Sequence, residues 1–443
     1  MGIKNTKDVY FVSGGISKFA KARPDVTFQP MVKEAYDYAL KDVGIDNKQA
    51  HEVFDGSVAS YFSDHFQRQL MSGIMVQDYL GLCPLPSHRV EGGGATGGIC
   101  FQEAYKNIAS GVMDVCVAYG FETMSHVNTW KGNEFIALAS DVSFDYPVGG
   151  FYSGYYAMMV VRHMKEFGTT VEQMASVSVK NHNNAFHNKY AQKRRKLTIK
   201  DVRNSDMVAW PLTLLDICVM SDGAAAGILA SEEGLKKIAK ATGKTPKNLV
   251  KVTGIGRGTD AMRMADRPHK EVILLPHEKP SDYKGLKYPG IHSFRAGRTA
   301  SKLAYEHAGI TNPLKEIDFV ELHDAYTSSE IQTYEDMGLC KYGEGGRFVE
   351  SGAPFLPNLD YGLGKMPRQG EIPVNPSGGL IACGHPVGAT GLMQAVFALW
   401  QLQGTMKKHL GDDTIQVKDA RRGAIHSHAG TGTYVTVSIL EKA

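Results

Sequence analysis

Gly223-Ala224-Ala225-Ala226-Gly227-Ile228-Leu229-Ala230 is a stretch of eight residues without a polar side chain. A strand that is apolar on both faces has to be covered on both faces. The same character recurs along the chain. Val9-Tyr10-Phe11-Val12-Ser13-Gly14-Gly15, Val53-Phe54-Asp55-Gly56 and Val115-Cys116-Val117-Ala118-Tyr119-Gly120 all read as short apolar strands ended by glycine. Helical spacing lies between them, as at 31–43. Continuous apolar strands alternating with amphipathic helices predict an α/β fold whose sheet is sandwiched between helices.

With 443 residues, 43% of them hydrophobic, the chain is long enough for two domain-sized halves. The expected division is 1–245 and 246–443. Residues 125–205 interrupt the first half as a long excursion, rich in aromatic and polar residues, with helices at 160–167 and 171–180. Excursions of this size are usually functional covers. A polar helix and linker follow at 231–247. The second half then opens on a strand at 251–254. It continues with a helix at 301–308, a strand at 317–322, a helix at 392–402 and a final strand at 434–441. Two inserts, around 265–298 and 340–372, are rich in Pro, Gly and Tyr.

A formal net charge of +3 leaves no nucleic-acid footprint. The densest basic run, Lys193-Arg194-Arg195-Lys196, reads as a solvated loop or helix end, with the phosphates of a nucleotide-bearing substrate as the alternative. The six cysteines (Cys83, Cys100, Cys116, Cys218, Cys340, Cys383) lack CxxC spacing. They predict neither a zinc site nor a redox pair, and fit a reducing, cytoplasmic setting. No apolar run reaches membrane-spanning length, and neither end carries a targeting signal.

Four segments carry candidate chemistry. Gly92, Gly93, Gly94, Gly97 and Gly98 lead into a helical pattern. Such a turn can present free backbone N–H groups to an anion, although on the cluster alone close packing in a crowded core is the simpler account. His323-Asp324-Ala325-Tyr326-Thr327 leaves the C-terminal end of an apolar strand, where open α/β sheets place ligands. Asn375 to Gly391 brackets His385 with Gly and Pro, which points to a histidine held for a purpose. Cys383 beside it reads as buried and inert. Finally, Gly423-Ala424-Ile425-His426-Ser427-His428-Ala429-Gly430-Thr431-Gly432 reads as a loop before the last strand. Two histidines at i, i+2 without a third matching ligand do not make a metal site.

Together with Gly120-Phe121-Glu122-Thr123, Lys180-Asn181-His182-Asn183-Asn184, Pro211-Leu212-Thr213 and Ser221-Asp222-Gly223, these segments resemble the thiolase superfamily, in its sterol-carrier-protein-type and archaeal branch. The resemblance spans nearly the whole chain. It implies a five-layer αβαβα fold of two similar halves with a loop domain, a homodimeric core, and acyl-CoA substrates, with coenzyme A entering as part of the substrate rather than as a cofactor. By that resemblance, His385 matches the oxyanion-hole histidine of the family's GHP motif. His323 matches the histidine that opens its HDxF motif and serves a second oxyanion site. Gly94 stands where the family carries its nucleophilic cysteine, and glycine cannot form an acyl-enzyme. Ala325 stands where relatives often have an acid/base cysteine. The last glycine loop, another source of that cysteine, offers Ser427 and His428 here, with Gly430 as a further oxyanion or substrate contact.

Thiolytic cleavage needs the missing thiolate, whereas retro-aldol cleavage of a β-hydroxyacyl thioester needs an oxyanion site and proton transfer. The expected reaction is therefore retro-aldol cleavage of a 3-hydroxyacyl-CoA, with Tyr326 beside His323 as acid/base. A phenol would need a neighbouring cation or imidazole to act as a base at neutral pH. The alternatives are a thiolase working by direct attack of CoA or through a displaced thiol (Cys383 or Cys100), and a non-catalytic acyl-CoA-binding subunit. Some cysteine-lacking members of the family are aldolases that work with a small OB-fold, zinc-ribbon partner, which makes such a partner a further expectation.

Overall fold

The computed structural model describes residues 6–267, 272–286 and 290–443, apart from the side chain of His292. Nine strands form one mixed sheet in the order Ser87–Val90, Gly56–Ser60, Val115–Thr123, Asp222–Ala230, Tyr10–Ile16, Val250–Thr259, Tyr434–Lys442, Arg422–Ala429 and Phe319–Glu321. The two ends of this order repeat one plan. In the first half, Tyr10–Ile16 pairs antiparallel with Asp222–Ala230, which pairs antiparallel with Val115–Thr123, and two parallel strands follow. In the second, Val250–Thr259 pairs antiparallel with Tyr434–Lys442, then antiparallel with Arg422–Ala429 and parallel with Phe319–Glu321, beyond which a parallel bridge joins Val320 to Val374. The halves meet at a short seam, Tyr10 with Lys251 and Phe11 with Val250.

Helix Phe28–Val43 covers the outer face of the first half, and Arg295–Ala308 covers that of the second. Thr96–Ala109 and Val387–Gln403 fill the space between the two sheet portions. The result is the five-layer thiolase-like α/β arrangement. Residues 387–402 are all buried, as expected for a helix enclosed by protein on every side. The two central helices touch through glycine. A Cβ on Gly391 would lie 2.1 Å from the Gly98 backbone nitrogen, and one on Gly97 would lie 2.6 Å from that of Gly391. For Gly97 and Gly98, close packing is therefore the right account of the cluster.

Two expectations need correction. Residues 53–56 are not a strand. Val53 ends helix Asn47–Val53, which the reciprocal Asp46–Gln49 capping box starts, and the strand begins only at Gly56. Within the segment at 423–432, residues 423–429 are not a loop but belong to the strand Arg422–Ala429, which has partners on both sides, and only the turn from Gly430 on is as expected. Cross-strand pairing overrides its polar, glycine-rich composition. Several helices also begin earlier than their apolar spacing suggests, at Tyr152, Arg295 and Val387. Residues 268–271 and 287–289 of the 265–298 insert lie outside the described residues.

Candidate active site

The strand Ser87–Val90 runs into Gly92 and the 3-10 turn Gly93–Ala95, which delivers Gly94 to the mouth of helix Thr96–Ala109. Thr96 closes this turn: its hydroxyl accepts from the Gly92 N–H (3.0 Å) and donates to the Gly93 carbonyl (2.6 Å). Gly94 lines a pocket of about 840 Å³, open mouth included. His323, Tyr326, His385, His428 and Gly430 line the same pocket. Five of the six positions singled out from the sequence around Gly94 thus converge with it on one cavity. Ser427 does not. Side chains alternate along a strand, so Ser427 faces away from His428, toward Gly98, and donates to Gln394 Oε1 at 2.8 Å. Cys383 and Cys100 are also absent from the wall. Cys100 Sγ contacts the Val58 carbonyl at 3.3 Å, Cys383 lies beside Asn188, and burial pushes both thiols up.

The space beside Gly94 is already taken. A Cβ built there would lie 2.5 Å from the His428 carbonyl oxygen, and 3.1 and 3.3 Å from Cε1 and Nε2 of His323. A backbone oxygen cannot step aside as the tip of a flexible side chain can. The imidazoles are packed together, with ring centroids 4.3 Å apart for His323 and His428 and 4.9 Å for His323 and His385. Burial brings His385 down to about 3. Burial, reinforced by the neighbouring imidazoles, holds His323 and His428 well below their ordinary value. All three rings are therefore neutral hydrogen-bonding groups at neutral pH.

The His385 ring is fixed from behind. The His385 backbone N–H donates to the Val219 carbonyl (3.2 Å) and to Ser221 Oγ (3.0 Å), and its Nδ1 meets Thr390 Oγ1 at 2.8 Å. Pro386 O already accepts the Ala389 and Thr390 N–H groups. Thr390 Oγ1 also lies 2.9 Å from the Pro386 carbonyl oxygen, so its one hydrogen is shared between that oxygen and His385 Nδ1 as the two acceptors within reach. A fully buried network holds the two histidine segments together. Lys180 pairs with Glu330 at 2.8 Å, and Asn181 Nδ2 donates to both Asp324 and Glu330 at 2.7 Å. Asp324 accepts the Leu380 N–H at 2.6 Å, and burial beside Glu330 raises this carboxyl well above its usual range. Glu122, brought up to about 7 by burial, accepts N–H groups from Phe62 and from Gly388 at the start of the central helix.

Tyr326 stands at the start of helix Thr327–Asp336 with its hydroxyl 3.1 Å from Ser153 Oγ and its ring stacked on Tyr156, centroids 4.1 Å apart. Burial raises its phenol, so it holds its proton at neutral pH. Sequence reasoning missed Tyr152, Ser153 and Tyr156, which the 125–205 excursion adds to the wall, and Cys218, the one cysteine in the wall among the described residues. The aromatic run Tyr152-Ser153-Gly154-Tyr155-Tyr156 was the available signal. Cys218 has no sequence signal. Burial brings its thiol up to about 12, so it is not a thiolate at neutral pH. Arg195, Lys196 and Lys200 line a separate open groove. No group of three or more His, Cys, Asp or Glu side chains suited to a metal occurs among the described residues. No helix among them is long and apolar enough to cross a membrane.

This fold, with a histidine-lined cavity at the mouth of a central glycine-led helix, is that of the thiolases. The "Thiolase, N-terminal domain" family matches residues 9–233, and "Thiolase C-terminal domain-like" matches residues 286–442. The chain belongs to the thiolase superfamily and is an enzyme of acyltransferase or C–C lyase type. It is 36% identical to an acetyl-CoA acetyltransferase of Methanothermobacter thermautotrophicus, over 98% of this chain and 100% of that one. It is 32% identical to the benzoylsuccinyl-CoA thiolase subunit BbsB of Thauera aromatica, over 90% of each. Human sterol carrier protein 2 is 30% identical over 97% of this chain and 71% of its own length. Among solved structures, the Ltp2-ChsH2(DUF35) aldolase is similar in fold with a TM-score of 0.76, at 23% identity over 99% of this chain and 98% of that one.

Proposed function

We propose that this enzyme breaks the Cα–Cβ bond of a 3-hydroxyacyl-CoA by retro-aldol cleavage, without an acyl-enzyme. The observation that carries the reading is the closure around Gly94. Not only is the thiol absent, but the position of its Cβ is filled by the His428 carbonyl and the His323 ring. What remains suits enolate chemistry. In this reading the Thr390 hydroxyl turns its hydrogen to His385 Nδ1, so that His385 Nε2–H is a neutral donor for the thioester oxygen with His323 beside it; preorganised donors of this kind are commonly worth about 3–4 kcal/mol each. When the 3-hydroxyl loses its proton, the electron pair left on its oxygen forms the carbonyl and the Cα–Cβ pair becomes the thioester enolate. The protonated Tyr326 then delivers a proton to Cα. The products are an aldehyde or ketone and a shortened acyl-CoA.

The acetyltransferase relative, similar over its full length, favours a second reading, thiolysis of a 3-oxoacyl-CoA. Cys218 is the thiol best placed for it, as the one in the cavity wall. A homodimeric core and a small OB-fold, zinc-ribbon partner belong to the proposal as well. The names of a thiolase "subunit" and of a two-component aldolase among the similar proteins support a partner. The test offers purified protein, with and without co-expressed partner, a 3-hydroxyacyl-CoA and then a 3-oxoacyl-CoA plus free CoA. Carbonyl release from the hydroxy substrate, undiminished in Cys218→Ser, is expected. CoA-dependent formation of two thioesters, or an acyl adduct on Cys218, would establish the thiolase. Tight binding without turnover of either would make the chain an acyl-CoA-binding subunit.

A further inference from the structure

The proposed cleavage needs a group to accept the 3-hydroxyl proton, and Tyr326, which keeps its own, is not that group. Tyr156 reaches across from the 125–205 excursion into the same cavity. Its hydroxyl lies 2.7 Å from His428 Nε2 and 2.9 Å from the Gly430 carbonyl oxygen. A phenol has one hydrogen and a carbonyl can only accept. Both contacts are hydrogen bonds only if Tyr156 donates to Gly430 O and His428 donates Nε2–H to the phenol oxygen. This puts the ring proton of His428 on Nε2 and leaves Nδ1 a bare lone pair. Nδ1 is buried and has no hydrogen-bond partner, an uncommon condition for a polar atom. The residue itself lines the cavity beside Gly94 and His323.

We propose that Tyr156 is a positioning residue that locks His428 in the Nε2–H tautomer, and that His428 Nδ1 is the base that takes the substrate's 3-hydroxyl proton. The two imidazoles then have opposite duties, set by what stands behind each. Thr390 gives its hydrogen to His385, which faces the cavity as a donor. Tyr156 takes one from His428, whose ring lines the same cavity and whose Nδ1 is left as the unpartnered acceptor. The proton balance closes. The hydroxyl proton goes to Nδ1, Tyr326 protonates Cα, and after product release the Tyr326 phenolate recovers the proton held by His428 through solvent. The groups around His428 are the imidazoles of His323, His385 and His426 and the phenol of Tyr156, with the Arg267 guanidinium on Thr431 Oγ1 at 2.6 Å close by. None of these is a carboxylate, so the transient imidazolium is neutralised by the substrate enolate itself.

This inference rests on the retro-aldol reading, and two measurements separate their failures. Long-range ¹⁵N–¹H correlation spectra of histidine-labelled resting enzyme report the tautomer without any turnover. The expected signature is a pyrrole-like Nε2 and a pyridine-like Nδ1 for His428, giving way to a tautomer mixture in Tyr156→Phe, which keeps the ring stacked on Tyr326. For 3-hydroxyacyl-CoA cleavage, Tyr156→Phe should lower kcat about 10–100-fold and His428→Ala about 10²–10⁴-fold, with KM moving less than about threefold in Tyr156→Phe. A wild-type His428 protonated on Nδ1, or a Tyr156→Phe enzyme with unchanged kcat, overturns the tautomer lock. Wild-type protein that cleaves no 3-hydroxyacyl-CoA overturns the retro-aldol reading and the base assignment, and leaves the lock to the spectra alone.

Discussion

At the scale of single residues, Gly94 sets the chemistry through what surrounds it. A cysteine at this position would have to push its Cβ against the His428 carbonyl at 2.5 Å. Gly94→Cys is therefore expected to lose stability, by about 1–3 kcal/mol as in other overpacked interiors, and to form no acyl-enzyme. A thermal melt and intact-mass spectrometry after incubation with a 3-oxoacyl-CoA check both. A stable variant that accumulates an acyl adduct would show that the site still tolerates the thiol. The vacancy was legible in the sequence because glycine motifs keep their spacing. Its closure was not, since the oxygen that fills it comes from the far end of the chain and from backbone rather than side chain. Ser427 shows the same limit. Its neighbour His428 reaches the cavity while Ser427 does not, because the segment is a strand and alternates its side chains.

At the scale of elements, two contacts hold the site in shape. The central helices cross through Gly97, Gly98 and Gly391, and a methyl group on Gly391 would come within 2.1 Å of the Gly98 nitrogen. Gly391→Ala should cost at least the roughly 1–3 kcal/mol typical of overpacking. Because Gly94 and His385 stand at the entrances of those same helices, activity should fall faster than the melting temperature. A variant that melts lower yet keeps wild-type kcat would argue against that coupling. The second contact is the buried Lys180–Glu330 pair at 2.8 Å. Lys180→Met leaves a buried carboxylate without its cation, a change that costs about 3–5 kcal/mol in comparable pairs, measurable by urea unfolding. The Lys180-Asn181 segment was visible in the sequence as part of a family pattern. Its work as the clamp between the two histidine segments was not, because the charges it joins are far apart along the chain. The helix cores were legible from apolar spacing, whereas their starts at Tyr152, Arg295 and Val387 lie in stretches where glycine and polar residues blur the period.

At the scale of the whole molecule, buried titratable groups set the response to pH. His182, His385 and His426 have folded values of about 3, against about 6.5 unfolded. Their contribution is complete above pH 6.5 and is lost as pH falls, because only the unfolded chain takes up those protons. Glu122 and Glu321, at about 7 in the folded state, work in the opposite sense. Their contribution is complete below about pH 4.3, the unfolded value, and is lost as pH rises toward 7. The two sets oppose each other between about pH 4.3 and 6.5; below that the histidines act together with carboxylates held low by their partners, such as Asp412 at about 2, whose contribution is also lost as pH falls. The urea midpoint should accordingly change little down to about pH 4.5 and then drop steeply. A steady decline from pH 7 downward would show that Glu122 and Glu321 do not offset the histidines, whereas a rise in the midpoint on acidification from pH 7 would show that these histidines are not neutral in the native state. The two-half plan was readable from the repeated apolar strands, but the seam at Tyr10–Lys251 and Phe11–Val250 rests on backbone pairing, which side-chain patterns do not encode. One further consequence belongs to the cavity. Its wall runs from Phe62 to Gly430 and draws on both halves, so no fragment of the chain can assemble it. A compound that fits it is a ligand of the complete native state alone, and its binding raises the melting temperature of the entire molecule. Thermal-shift screening of CoA thioesters can therefore identify the acyl group without any assay of the reaction.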